Sequence, residues 1–559
     1  MTASPTQQYP NQHALNHRRA LWIGCASLLL AVFVYCAGLG SDHLATNGDE
    51  LLYAQISKLT ASSGQLLPLQ SLDERLRNTK PPLLFWQGIA STDWGDHWSL
   101  ARLRAPNVLY TLLTAGLLIL IGWKRMRSIQ LGLSAALLFL CFFSTYRYGR
   151  VFLTSAPETF WLFAPLALLL LHREPRLPNG ILWPWIWGGM IGVGLLYKSF
   201  ALVVPVTLTM ALWQLRARGW KIRPFLLKDF CRLSMTILAA LLLFSLWFWL
   251  DPNPMLVLKD FVLRENAGKF DTGGENYFLN FIWGQSSIWR IIISYPLNTG
   301  LLGFLTAALF WDAYQRRRHL GHMEVFLWIL MLVLAAFFCI PNQRDERYLL
   351  PAMPALALLM AIRLGHLPIW ISTITIAASG IILLGLQGLA LLLQHASGLS
   401  LYPSWLLIPF VLGLTVVALG IFRKELTRPL LPASVLLVYL GYYLFLIPLD
   451  HGAGLFRGEG VESVIGCEVA VPSNFNAREE SYGFLLPGAI VKPYNQWMLP
   501  PTTPFIVISQ PLDERPPEGV ILGKRLNMID RFNGPETRDI LLGNVTHHLF
   551  HWDWLVQQN

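Results

Sequence analysis

Three short polar motifs interrupt an otherwise lipid-like sequence: Gly48-Asp49-Glu50, Lys80-Pro81-Pro82 and Arg347-Tyr348. A carboxylate can take the proton of an attacking hydroxyl, and fixed cations stabilise a leaving group that departs as an anion. Gathered where membrane helices meet water, these residues suit chemistry on a lipid-phosphate substrate, with Asp49 and Glu50 as the candidate catalytic acids. Asp49 opens the stretch Glu50-Leu51-Leu52-Tyr53-Ala54-Gln55-Ile56-Ser57-Lys58-Leu59, whose apolar residues recur at helical spacing. That pattern predicts an amphipathic helix lying on the membrane surface. A carboxylate at a helix N-terminus also serves simply as a cap for free amides, so Asp49 taken alone carries both readings. Lys80 stands before Pro81-Pro82-Leu83-Leu84-Phe85-Trp86, a second helix start, because proline has no amide hydrogen to leave unsatisfied in the first turn. An ammonium beside outward-pointing amides favours a phosphate. A lysine snorkelling to lipid headgroups is the alternative for Lys80 in isolation.

The elements that must position these residues are membrane helices. Hydrophobic residues make up 54% of the 559 and charged residues 14%, with mean hydropathy +0.45, against about 25% charged in ordinary soluble domains. Residues 20–39 form an apolar run of about 20, enough to cross a hydrocarbon core of roughly 30 Å. The run is longer than the apolar part of a signal peptide and lacks a clear small-x-small cleavage site, which favours an uncleaved first span. Further runs at 107–123, 129–146, 153–171, 182–197, 199–214, 232–250, 288–310, 324–340, 348–362, 369–393, 405–421 and 431–447 bring the total to about thirteen spans. Lys124-Arg125-Met126-Arg127, Arg173 with Arg176, the segment 216–223, Arg316-Arg317-Arg318, Arg363, and Arg423-Lys424 with Arg428 occupy every second connection. By the positive-inside rule these links face the cytoplasm. Reading 182–214 as two spans, broken at Lys198-Ser199, keeps that alternation and puts Lys198 at the outer surface.

The expected organisation is a disordered polar segment at 1–16 on the cytoplasmic side, a membrane domain at 17–449 with a long outer loop at 40–106, and an outer soluble domain at 450–559. In that last domain, segments 468–471, 482–486, 489–493, 505–509 and 519–526 read as strands of a small sheet, and 544–555 as one terminal helix. His547 and His551 would then share a helix face, together with His548 nearby, yet no third ligand is in view and no metal site is assigned. Five of the six cysteines lie in apolar runs and Cys467 stands alone, so no disulfide framework is indicated. The net charge of +10 is largely loop charge that sets orientation, which disfavours nucleic acid as a partner. No phosphate-cradling glycine motif for a nucleotide is present.

An acidic pair after the first span, a Lys-Pro motif opening the next helix, Lys198 between two spans and Tyr348 at the outer start of another resemble, in order and topology, the ArnT-type glycosyltransferases of the GT-C fold, relatives of the protein O-mannosyltransferases. The resemblance implies a polytopic α-helical membrane protein of GT-C type with a small C-terminal periplasmic α/β domain. It further implies an inverting transferase that moves a sugar, aminoarabinose in the type members, from a polyprenyl-phosphate carrier to lipid A or another envelope glycan. The site would then face the periplasm at the bacterial inner membrane. Asp49 matches the proposed catalytic base, and Lys80 and Tyr348 match residues that hold the donor phosphate. Arg264, in Val262-Leu263-Arg264-Glu265-Asn266, stands where the family places a donor-binding arginine. Lys198 and Arg347 are further phosphate-binding candidates, and Arg147, Arg150, Lys269 and Arg344 are outer cations by position. Relatives often carry an aspartate where this chain has Ser155, with Glu158 the nearby acid and secondary candidate. That departure leaves the acceptor open to a protein hydroxyl. No cofactor is called for, and a divalent metal is compatible with the chemistry without being required by the sequence. A transporter of lipid-linked glycans is the competing class, but transporters place charges near the bilayer midplane, whereas these gather at span ends.

Overall fold

The computed structural model describes residues 9–44, 49–172, 180, 182–270, 277–284, 286–473, 477–495, 501, 503–529 and 531–558, with side chains from Arg18 onward. Gly48, Arg173 and Arg176 therefore lie outside the described residues, as does 1–8 of the expected disordered segment. Backbone from Tyr9 already belongs to the first helix, α1 (Tyr9–Cys36), so the polar residues 9–16 extend the helix in place of the expected disorder.

Every expected span contains helix. Among the described residues nine helical stretches are long and apolar enough to cross a membrane, and three apolar helices, Ile129–Cys141, Ser155–Leu171 and Leu182–Tyr197, are shorter. The expected break at Lys198-Ser199 is present. Helix α2 (Asp49–Ser62) and α3 (Leu83–Ser91) belong to the long loop after α1. They are followed by α4 (Leu100–Lys124), α5 (Ile129–Cys141), α6 (Phe143–Tyr148), α7 (Ser155–Leu171) and α8 (Leu182–Tyr197). Close approach is set by small residues. A Cβ on Gly188 of α8 would stand 2.5 Å from Ala239 Cβ on the helix Cys231–Leu250, and one on Gly192 would stand 2.9 Å from Leu243 Cβ. Glycines four apart let the two backbones touch where bulkier residues would hold them apart, the usual basis of packing in a lipid solvent.

Helix α2 does not lie on a membrane surface. Ten of its fourteen residues are buried, Glu50, Gln55, Ser57 and Thr60 among them, and Gln55 donates to Glu480 of the C-terminal domain at 3.0 Å. Helical spacing of apolar residues shows that a face is covered, but lipid and protein cover it equally well.

The C-terminal domain is a five-stranded mixed sheet ordered β2-β1-β3-β5-β4, with β1 (Glu468–Ser473), β2 (Ile490–Asn495), β3 (Phe505–Pro511), β4 (Val520–Met528) and β5 (Phe550–Gln557). Strand β1 runs parallel to β2 and β3, while β5 lies antiparallel between β3 and β4. Two expectations are corrected. Segment 482–486 falls at the end of a short helix, Glu480–Leu485, and 544–555 is a five-residue helix, Val545–Leu549, followed by β5. In β5 the alternation Phe550, Trp552, Trp554, Val556 is the period of a strand. Those four side chains pack with Leu393, Phe445, Leu446 and Leu449 of the membrane helices, so one face of the sheet docks onto the helix ends. His547 and His551 consequently share no helix face: His547 pairs with Asp513 at 2.9 Å and His551 with Ser509 at 3.3 Å. No group of three His, Cys, Asp or Glu placed to hold a metal ion occurs among the described residues.

Candidate active site

Six separate segments converge on one cavity of about 550 Å³. Asp49 enters from the N-terminus of α2 and Lys80 from the turn before α3. Ser155 begins α7, Lys198 occupies the break after α8, and Glu265 with Lys269 comes from the loop after Cys231–Leu250. Arg347 and Tyr348 sit in the 3-10 turns Glu346–Ala352. Each side chain lies at a helix end or break, where the backbone must leave the regular hydrogen-bond ladder and polar groups are tolerated beside apolar spans. Four cations line the cavity (Lys80, Lys198, Lys269, Arg347) against two carboxylates (Asp49, Glu265), so the space is net positive and suited to an anion.

The groups are coupled in pairs. Arg347 Nη1 donates to Asp49 Oδ2 at 3.0 Å, each side chain about one-quarter exposed (26% and 25%). The Asp345 carboxylate caps the turn by accepting from the Arg347 amide at 2.9 Å, which points the guanidinium at Asp49. Lys80 Nζ donates to Glu265 Oε1 at 2.8 Å and to the Thr79 carbonyl at 2.9 Å, and Lys269 shares the same Glu265 oxygen at 3.1 Å. Lys198 donates to both oxygens of buried Glu158, at 3.1 and 2.8 Å, and stands 5.2 Å over the ring of Tyr348. Tyr348 in turn packs against Phe338 with centroids 5.1 Å apart.

Burial and neighbours pull the charges in different directions. Desolvation works against the Lys80 ammonium, but Tyr53, Glu265 and Asp49 outweigh it and raise its pKa above the ordinary lysine value. Desolvation lowers the pKa of Lys198, and the nearby Arg347 and Lys80 charges add to that against the pull of Glu158. Lys269 is lowered by burial and by Lys80. Glu265 is held below the ordinary glutamate value because Lys80 and Lys269 overcome its desolvation. Among the lysines of the site, Lys80 is strongly held as a cation, whereas Lys198 and Lys269 are more readily neutralised.

Of the residues expected from sequence, Asp49, Lys80, Lys198, Arg347 and Tyr348 are brought together. Glu50 is not. It is fully buried and grips Arg104 Nε and Nη2 at 2.7 and 2.9 Å, while its Oε1 accepts from the Phe152 amide at 2.8 Å. Arg104 Nη1 also donates to the carbonyls of Leu39 and Ser41, at 2.8 and 2.7 Å. One guanidinium thus ties both flanks of the segment that leads into Asp49. Arg264 turns away from the cavity, pairing with Asp260 at 3.4 Å and donating to the Arg75 carbonyl. The segment Leu258–Asn266 is π-helical; the wider turn changes which side chain faces inward, and Glu265 takes the place expected of its neighbour. Glu158 lies behind Lys198, whereas Ser155 reaches the lining. Arg150 and Arg344 are buried and spent on main-chain carbonyls, of Tyr35 and Ala37 and of Cys339 and Ser286 respectively. Arg147 lies 5.2 Å over the Tyr148 ring. Glu265, Asn266 and Gln343 were not foreseen as site residues. Glu265 and Asn266 adjoin Arg264 in the chain, and that adjacency is the only sequence signal that pointed near them.

Residues 28–254 match the family model described as dolichyl-phosphate-mannose-protein mannosyltransferase. The chain is 27% identical over 354 residues to undecaprenyl phosphate-alpha-4-amino-4-deoxy-L-arabinose arabinosyl transferase 1 of Sodalis glossinidius, covering 61% of this chain and 58% of that protein. It is 27% identical over 447 residues to the corresponding transferase of Pectobacterium carotovorum, covering 75% of this chain and 69% of that one. The matched region thus spans a little under three-fifths of the Sodalis relative's length. Among solved structures, ArnT from Cupriavidus metallidurans bound to undecaprenyl phosphate superposes with a TM-score of 0.56 at 16% identity over 86% of both chains. Its apo state gives 0.57 at 16% identity, over 84% of this chain and 85% of that one.

Proposed function

We propose that this chain, which shares the fold of ArnT, is an ArnT-type inverting glycosyltransferase that uses a polyprenyl-phosphate sugar donor. The observation that carries the reading is the convergence of Asp49 with Lys80, Lys198, Arg347 and Tyr348 on one net-positive cavity. An acceptor hydroxyl placed beside Asp49 loses its proton to the carboxylate as its oxygen bonds to the anomeric carbon. The bond from that carbon to the phosphate oxygen breaks with inversion. The electron pair leaves on the lipid phosphate, whose charge is met by Lys80, Lys198 and Arg347 and by the Tyr348 hydroxyl. These groups are held before substrate arrives, so little reorganisation is needed as charge develops. Arg347 has a double task, orienting the base through its 3.0 Å contact and presenting positive charge to the leaving group.

The donor is a sugar on a polyprenyl phosphate, with aminoarabinose the first candidate on the names of the relatives. The acceptor is lipid A or another envelope glycan. A second reading, a protein hydroxyl, draws on Ser155 lining the cavity where an acidic residue is usual in relatives. The site faces the periplasm, with the N-terminus cytoplasmic and the C-terminal domain periplasmic, in accord with the basic connections between spans. Purified protein reconstituted with polyprenyl-phosphate sugars and an envelope acceptor should transfer sugar. Asp49→Asn should retain donor binding and lose transfer; equal turnover by both would remove Asp49 as the base, and no transfer with any donor would favour transport of lipid-linked glycans.

A further inference from the structure

A second cavity, of about 540 Å³, lies on the seam between the C-terminal domain and the outer ends of the helices Ile369–Ser397 and Lys424–Asp450. It shares no lining residue with the Asp49 cavity. His451, Arg457 and Lys524 supply its charge and hydrogen-bonding groups, Leu401, Ile447 and Trp552 part of its apolar wall, and no carboxylate lines it.

The rest of the same seam provides an internal contrast. There, Arg525 is matched by Asp553 at 2.9 Å and Asp42 at 3.5 Å, and His43 by Asp450 at 3.0 Å. Arg457 and Lys524 make no ion pair with a carboxylate among the described residues, yet the backbone holds them side by side. Their main chains form an antiparallel bridge, each amide donating to the other's carbonyl at 3.1 Å. Residues paired in this way point to the same side, and like charges so placed repel. Lys524 Nζ is further held 4.2 Å from the ring of Trp552 and 5.1 Å from that of Trp554, on the face turned toward the membrane helices. An anion between the two cations removes the repulsion.

A neighbouring feature specifies what the anion is attached to. An apolar groove of about 170 Å³ runs between the helices Ile369–Ser397, Leu407–Phe422 and Lys424–Asp450, with Leu391, Leu407, Phe410 and Leu440 on its walls. It ends at Tyr402 and Phe445, one and two residues in sequence from Leu401 and Ile447 of the cationic cavity. A water-facing cationic cavity adjoining a membrane-level apolar groove has the two-part form of a phospholipid. From this juxtaposition we infer a second lipid site, in which the phosphate of an anionic glycerophospholipid sits between Arg457 and Lys524 and an acyl chain occupies the groove, tying the C-terminal domain to the bilayer. The inference is independent of the transferase reading.

Native mass spectrometry of the delipidated full chain with added palmitoyl-oleoyl phosphatidylglycerol tests it. Occupancy should fall at least about fivefold in Arg457→Ala/Lys524→Ala, and stay within about twofold of wild type in Arg457→Lys/Lys524→Arg. Leu391→Trp, which changes a largely exposed groove residue (59% exposed), should lower occupancy with thermal unfolding unchanged. Equal occupancy in wild type and the double alanine variant would overturn the proposal, as would diacylglycerol binding as well as phosphatidylglycerol. Full displacement by inorganic phosphate would make the site one for free anions. Displacement at equal concentration by a phosphorylated acyl-glucosamine disaccharide would overturn the assignment to a glycerophospholipid.

Discussion

The cavity and the clamp behind it are built from the same residue types in different surroundings. Asp49 and Glu50 are consecutive, and each meets an arginine. Asp49 with Arg347 is about one-quarter exposed, whereas Glu50 with Arg104 is sealed, both side chains at 0%. A partly exposed pair can exchange its partner for a substrate atom at small desolvation cost. A buried bidentate pair cannot, because parting it leaves an uncompensated charge in a dry interior. Burial therefore divides two adjacent carboxylates into one that is available for chemistry and one that is committed to structure.

Substitutions on either side of that divide separate the two roles. The largest effect is expected of Arg104→Ala, which strands Glu50 and frees the carbonyls of Leu39 and Ser41; a loss of about 3–5 kcal/mol, read by thermal unfolding in detergent, is expected. An unfolding temperature matching wild type would dissolve the distinction between clamp and cavity. Asp49→Asn should lower turnover by about 10²–10⁴-fold while unfolding moves by less than about 1 kcal/mol. Lys80→Ala should weaken donor binding by roughly 10–100-fold, the worth of about 1.5–3 kcal/mol for a hydrogen bond to a charged group, with the fold intact; unchanged donor affinity would remove Lys80 from the phosphate site.

A smaller effect is expected from pH. The Lys198 pKa is lowered by burial and by the charges of Arg347 and Lys80, so its cation is present below that pKa and lost as pH rises through it. Turnover at low donor concentration should fall on the alkaline side, below the value of about 10.4 of an ordinary lysine. Lys198→Arg should reduce that fall, leaving the part contributed by Lys269, whose pKa is also lowered, and a profile identical in both proteins would exclude Lys198 as its source. The smallest change belongs to Arg264→Ala. With its guanidinium turned to Asp260 and the Arg75 carbonyl, donor affinity should shift by less than about twofold, and a tenfold loss would return Arg264 to the site.

Much of this was legible in the chain. Apolar runs and their basic connections yielded the helices and the break at Lys198-Ser199, because hydrophobic length is a local property. Asp49, Lys80 and Arg347-Tyr348 could be singled out because polar motifs at span ends are few. Glu50, Arg264 and the terminal segment were misread for separate reasons. Nothing in Gly48-Asp49-Glu50 reveals that Arg104, fifty-four residues further on, will claim one acid and leave the other. Arg264 precedes Glu265, and in the π-helical segment Glu265 lines the cavity while Arg264 pairs with Asp260. Phe550 to Gln557 becomes a strand through pairing on both sides, with β3 and β4, partners more than twenty residues distant in the chain.

Composition and periodicity were enough to define a chain of membrane helices, the polar residues at their ends and a small sheet-forming domain, since they report what each segment can bury. Which charges meet was left to the packing of distant segments. Ion pairing depends on distances of a few ångströms between segments hundreds of residues apart, 298 for Asp49 and Arg347 and 483 for Asp42 and Arg525, and on whether water still reaches them once the helices have packed.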